Sequence, residues 1–121
     1  MRTKRVVVDA SYVLGMLFPD EKTSTLPKKR MVAPALLEYE VVNAIKMAVV
    51  RRRIDDELAG ELIREYKSWK IEYKTVELNG ILEVALEHKL SVYDASYLWL
   101  ARELKTELLT WDKKLAKLVS A

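Results

Sequence analysis

The feature that most constrains this chain is the run Arg5-Val6-Val7-Val8, β-branched and apolar on both alternating sides, closed by Asp9. A strand with no polar side needs cover on both faces, as in a parallel sheet flanked by helices. Residues from about Ala10 to Phe18 then read as a helix that Pro19-Asp20 stops, and Asp20 to Arg30 is a polar, aperiodic loop. Met31 to Ala33 reads as a second strand, with Pro34 opening a long helix to about Arg51. Asp55 starts a helix to about Trp69, Ile71 to Val76 is extended, and helices follow over about Asn79 to His88 and Ser91 to Leu104. Glu107 to Thr110 is the last strand, and Asp112 opens the final helix. Strands alternating with helices predict an α/β fold, a small parallel sheet with helices on both faces. With 121 residues there is room for one domain, 1–121, around one core.

Composition narrows the chemistry. The chain has no cysteine and a single histidine, His88, so disulfide frames, thiolate zinc sites and multi-histidine metal centres are excluded. His88 stands near a helix end, where a cation complements the dipole, and no catalytic role is assigned to it. What remains is oxygen chemistry, carried by 18 Asp and Glu residues, hydroxyls and amides. Lys and Arg number 21, a net charge of +3 that permits a polyanion partner without demanding one. No apolar run reaches the ~18 residues of a membrane span, and the basic start Met1 to Arg5 leads into too short a run for a signal peptide, so a cytoplasmic protein is expected. Glutamine is missing and Asn occurs only at Asn43 and Asn79, a bias shared with proteins of thermophiles.

In open parallel sheets, ligands gather beyond the carboxyl ends of the strands. Asp9 and Asp112 both follow strands, so neighbouring strands would bring them to one edge; each also reads simply as the N-cap of the next helix. Asp94 has capping-box spacing from Ser91, yet its helix is apolar nearly all round, which predicts a start covered by protein and a carboxylate kept ionised by the helix dipole. On the helix after Pro34, at about 100° per residue, Glu40 projects inside the apolar arc while Glu38 falls beyond its edge. An acid turned toward a core is costly unless paired or bound to a cation, so Glu40 is the candidate and Glu38 a solvated bystander. Asn43 lies three residues on, on the same side. A carboxylate cluster without thiols selects a hard divalent cation, Mg²⁺ or Mn²⁺.

The segments VVVDASYVL, PALLEYEVVNAI, LSVYDASYLWLA and LLTWDKKL, in this order and covering nearly the whole chain, resemble the PIN-domain nucleases and, within them, the VapC-type toxins of toxin-antitoxin pairs. The resemblance implies a metal-dependent endoribonuclease whose acidic quartet falls on Asp9, Glu40, Asp94 and Asp112. Ser11, Asn43 and Thr110 match positions that orient ligands or waters behind the acids. It also implies a homodimer and a cognate VapB-like antitoxin. The sequence departs from the family pattern twice: loop Asp20 to Arg30 stands where a helix is common, and Trp111 replaces a small residue between Thr110 and Asp112.

Because carboxylates repel RNA, the clusters Lys28-Lys29-Arg30 and Arg51-Arg52-Arg53 are candidate phosphate contacts, with solvated surface as the alternative. Tyr93, Tyr97 and Trp99 are expected to pack in the core. Two competing functions are weighed. A phosphatase using Asp9 as nucleophile would need an acid two residues on, where Ser11 stands. A catalytically idle interaction module could use Tyr12, Met16, Leu17 and Phe18 as its surface, although core packing suits most of these better.

Overall fold

A computed structural model describes residues 4–21 and 23–120. Met1 to Thr3 of the basic start, Lys22 of the loop and the last residue of the 1–121 domain lie outside the described residues. The order is β1 (Arg5–Val8), α1 (Ala10–Leu17), β2 (Arg30–Pro34), α2 (Leu36–Val50), α3 (Asp56–Ser68), β3 (Glu72–Lys74), α4 (Leu78–His88), α5 (Val92–Leu104), β4 (Leu108–Leu109) and α6 (Lys113–Ser120). Pro34 closes β2 rather than opening the helix after it. Its nitrogen has no hydrogen to donate, which suits a strand's last residue as well as a helix's first turn.

The four strands form one sheet in the order β3-β2-β1-β4, every pair parallel, with Val7 opposite both Val32 and Leu108. The chain steps from β1 to β2 to β3 in one direction, then crosses back to add β4 on the far side of β1. Right-handed crossovers therefore put α1, α2 and α3 on one face and α4 and α5 on the other. Packing agrees: α1, α2 and α3 touch one another, while α5 lies against β1, β2, β4, α4 and α6. Val6, Val7 and Val8 are buried, as a doubly covered strand requires, and Val13, Leu37, Val41, Leu98 and Leu115 pack around them. Burying a side chain of that size removes enough apolar surface from water to contribute roughly 1.5–3 kcal/mol.

Four helix ends turn through left-handed backbone at a basic residue: Arg52, Lys70, Lys89 and Lys105, with φ between 50° and 59°. Glycine is the usual occupant of such positions because it has no Cβ to crowd the carbonyl. Two glycines serve contact instead. A Cβ on Gly80 would lie 2.2 Å from the Trp99 indole nitrogen, and one on Gly15 would lie 2.4 Å from Ser24 Oγ. Gly80 lets α4 meet α5, and Gly15 lets the loop after α1 lie flat on that helix.

Candidate active site

β1 and β4 are neighbours whose onward chains diverge, and such a switch point opens a crevice at the carboxyl ends of the strands. Asp9 sits there, buried at 6% exposure. Its carboxylate is heavily used: Oδ1 accepts from Tyr12 N at 3.0 Å and Ser11 Oγ at 2.7 Å, and Oδ2 accepts from the Thr110 hydroxyl. Asp9 is thus the N-cap of α1 and a bridge to the end of β4, so the capping and site readings hold together. Asp112 caps the last helix by accepting from Leu115 N at 3.0 Å, and its own N–H donates to Thr110 Oγ1 at 3.0 Å.

Glu40 is half-buried on α2 and accepts a hydrogen bond from the buried Tyr97 hydroxyl, whereas Glu38 is exposed. Helical periodicity had separated the two glutamates by face, and the tyrosine is the reason an inward acid is tolerated. Asp94 stands in the first turn of α5, with its N–H bonded to Ser91 Oγ at 3.1 Å.

The four acids sense one another. Burial raises the Asp9 carboxyl above its ordinary range; bonds from Thr110, Tyr12 and Ser11 oppose this, and the charge of Asp112 adds to it. Burial likewise raises Glu40, opposed by the Tyr97 bond and reinforced by Asp94 and Asp9. Asp94 is raised by burial and by Asp112 and Asp9, with Lys114 pulling the other way. This is a ring of like charges from β1, α2, α5 and the β4–α6 turn, gathered at one edge.

The donor chemistry fits a hard divalent ion. Among the described residues, no three His, Cys, Asp or Glu side chains are arranged so that they could together hold a metal ion. Mg²⁺ is normally held by one or two carboxylates and keeps several waters, so an open ring of oxygens is the form such a site takes. Ser11 and Thr110 lie behind Asp9, 3.5 Å from each other. Asn43 is exposed on α2, and its side chain makes no hydrogen bond among the described residues.

Several other expectations change. The start of α5 is not covered: Val92 and Tyr93 are exposed, Tyr93 at 65%, because the apolar surface of α5 that faces the sheet begins at Ala95. Tyr97 packs in the core and Trp99 is partly buried, as expected. Met16, Leu17 and Phe18 are buried and Tyr12 half-buried, which removes them as an exposed docking surface; the exposed apolar stripe is Leu78, Leu82 and Leu86 on α4. His88 lies in the last turn of α4, with Arg102 3.3 Å from its Nε2.

The basic clusters lie away from the acids. Lys29 pairs with Glu107 and Arg30 with Glu72 at the amino ends of the strands. Arg51, Arg52 and Arg53 follow the C-terminal end of α2, where Arg53 pairs with Asp20 and lies over the Phe18 ring; Lys28 is exposed beside Lys29. A cavity of about 750 Å³ is also at that end, lined by Lys4, Arg5, Lys29, Arg102, Lys105 and Glu107. Sequence reasoning did not single out Lys114, two residues past Asp112, or the hydroxyl role of Tyr97, three residues past Asp94. For Tyr97 the i, i+3 spacing from Asp94 was the available signal; Lys114, only two residues from Asp112, offered none.

The PIN domain family model matches residues 6–120. Ribonuclease VapC3 of Pyrobaculum aerophilum is 30% identical over 124 residues, spanning 93% of each chain. Ribonuclease VapC9 of Mycobacterium tuberculosis is 30% identical over 115 residues, 92% of this chain and 88% of that one. The crystal structure of PAE2754 from Pyrobaculum aerophilum superimposes with a TM-score of 0.75 at 28% identity, over 95% of this chain and 84% of that one. With the match running through all four strands and all four acids, the chain belongs to the PIN-domain family and is of the VapC type.

Proposed function

We propose that this protein is a metal-dependent endoribonuclease, the toxin of a VapBC-type pair, cleaving RNA phosphodiesters at the acidic ring. What supports the reading best is geometry at the switch point: buried Asp9 is bridged by Thr110 to the turn that carries Asp112, and Glu40 is held by Tyr97 from the helix that carries Asp94. So many like charges in one crevice oppose folding, and a bound cation is what offsets them. The names of the VapC relatives support the substrate.

Asp9, Asp94 and Asp112, with Glu40 directly or through water, would hold Mg²⁺ or Mn²⁺. When bound, such an ion supplies a lowered pKa for water and neutralises charge developing on phosphate oxygens. The chain's own residues do the positioning. Ser11 and Thr110 donate to Asp9 and set which lone pairs remain for a ligand. Tyr97 holds Glu40 at the crevice, and Tyr12 N–H shares Asp9 Oδ1 with Ser11. Lys114, which faces Asp94, is the cation near the ring and the candidate contact for a scissile-strand phosphate. A VapB-like antitoxin, a cytoplasmic setting and a homodimer complete the reading; the stripe Leu78, Leu82 and Leu86 is an apolar surface available for self-association. No helix among the described residues is long and apolar enough to cross a membrane.

The deciding experiment is cleavage of an RNA pool by protein cleared of contaminating nuclease, with Mg²⁺, Mn²⁺ or EDTA. Cleavage that needs the ion and disappears in Asp9→Asn supports the reading. Cleavage untouched by EDTA and by Asp9→Asn ends it, and a covalent phosphate trapped on Asp9 would favour a phosphatase.

A further inference from the structure

We infer that Trp111 is a stacking platform for an unpaired RNA base at the lip of the acidic ring. The inference rests on the ribonuclease reading above and adds to it how the strand is gripped.

Trp111 is 55% exposed although it is the kind of side chain a small core would bury. It is nevertheless held. Its indole nitrogen donates to Ser24 Oγ at 2.7 Å, and its backbone N–H donates to Ser11 Oγ at 2.9 Å. Tyr12 lies nearly parallel to it, with 13° between the planes and centroids 6.2 Å apart. Tyr12 is tied down in turn, its hydroxyl donating to Thr25 O at 2.7 Å. An exposed aromatic ring fixed by α1, the following loop and its own backbone has already lost the freedom that binding would otherwise remove.

The ring also stands in the right place. The ring lies along Tyr12, whose own N–H donates to Asp9 Oδ1 at 3.0 Å, and the Trp111 backbone N–H reaches the same oxygen through Ser11 Oγ, so a base on the indole would lie beside the acids. Charge explains the need. Both the arginine and the lysine cluster are at the other end of the sheet, so the basic help beside the acids comes from single residues such as Lys114. Stacking attracts a nucleic acid without charge, and every base has a π-face. In duplex RNA those faces are occupied by neighbouring bases, so such a platform selects unpaired strands. Two further exposed aromatics, Tyr39 and Tyr93, likewise precede acids of the ring in sequence, but Trp111 is the one whose orientation is fixed by contacts.

The test is fluorescence anisotropy in Mg²⁺ with short, hydrolysis-resistant phosphorothioate RNA, using wild type, Trp111→Leu and Trp111→Phe, with thermal melting of each protein. Wild type should prefer single strands to duplex, Trp111→Leu should bind ~10-fold more weakly, and Trp111→Phe should stay within ~3-fold of wild type. One abasic position in the RNA should weaken wild type by a similar factor and leave Trp111→Leu unaffected. The platform is overturned if Trp111→Leu binds as wild type does, if wild type does not bind single strands, or if both variants lose binding and melt early. Binding through Trp111 without any cleavage would sink the nuclease reading and leave the platform standing.

Discussion

The two ends of the sheet treat their charges in opposite ways. At the amino end, Lys29, Arg30 and Arg53 each face a carboxylate, in exposed pairs that water screens. At the carboxyl end, four acids face one another in a partly buried crevice, eased by hydroxyl donors and Lys114. Compensated charge at a surface is nearly neutral for stability, whereas uncompensated like charge in a crevice is costly and persists where a ligand needs it. The difference separates charges that serve solubility from charges that serve chemistry, which charge counts could not do.

The largest effect that sharpens the comparison is on activity. Asp9→Asn should lower RNA cleavage on the order of 10²- to 10³-fold, the scale for losing a preorganised charged group, while Lys29→Ala leaves the rate unchanged; both are read as initial rates on one RNA. Equal losses from both would erase the distinction between the two ends.

Next comes stability. Glu40→Gln keeps an acceptor for Tyr97 and removes one like charge, so without metal it should raise Tm at neutral pH by about 2–5 °C while lowering activity. The pH dependence has a definite sign. Asp9, Glu40 and Asp94 have folded-state pKa values above their ordinary ones, so the folded form binds more protons than the unfolded form between those values. Stability should therefore fall as pH rises through that interval, and the Tm gap between wild type and Glu40→Gln should close as pH is lowered through the raised pKa values. A gap that widens on acidification would show that Glu40 is stabilising as a carboxylate.

At the amino end, Arg30→Ala should change unfolding free energy by no more than about 0.5 kcal/mol in urea titration, as befits an exposed pair. The Glu72 carboxyl there is held below its ordinary range chiefly by its bond with Lys74, so it keeps a partner when Arg30 is lost. Smallest of all, Lys89→Gly at a left-handed helix end should stabilise by a few tenths of a kcal/mol, since glycine's flexibility offsets part of the relieved crowding.

How much of this was legible depended on the range of the physics. Val6 to Val8 announced a doubly covered strand because both faces of a strand are written in consecutive residues. The 3.6-residue period separated Glu40 from Glu38 for the same reason, the information being local. The openness of Tyr93 was not legible, since it depends on where α5 emerges from beneath its neighbours. The basic clusters could be read only as candidate phosphate contacts or solvated surface, because composition shows charge without showing which end of a strand it occupies. Arg30 begins β2 and Arg51 follows the end of an antiparallel-running α2, so both fall at the amino edge. Trp111 was visible as an unusual residue, but its fixed position comes from Ser24 and Tyr12, distant in sequence or set by another element.

β4 is two residues long and stands at the sheet's edge, held to β1 through bonds such as Val7 N to Glu107 O and Asp9 N to Leu109 O. Thr110, Trp111 and Asp112 all hang from that short seam. Trimming or prising away the tail would disarm the crevice while most of the hydrophobic interior stayed intact, so loss of toxicity need not report loss of folding.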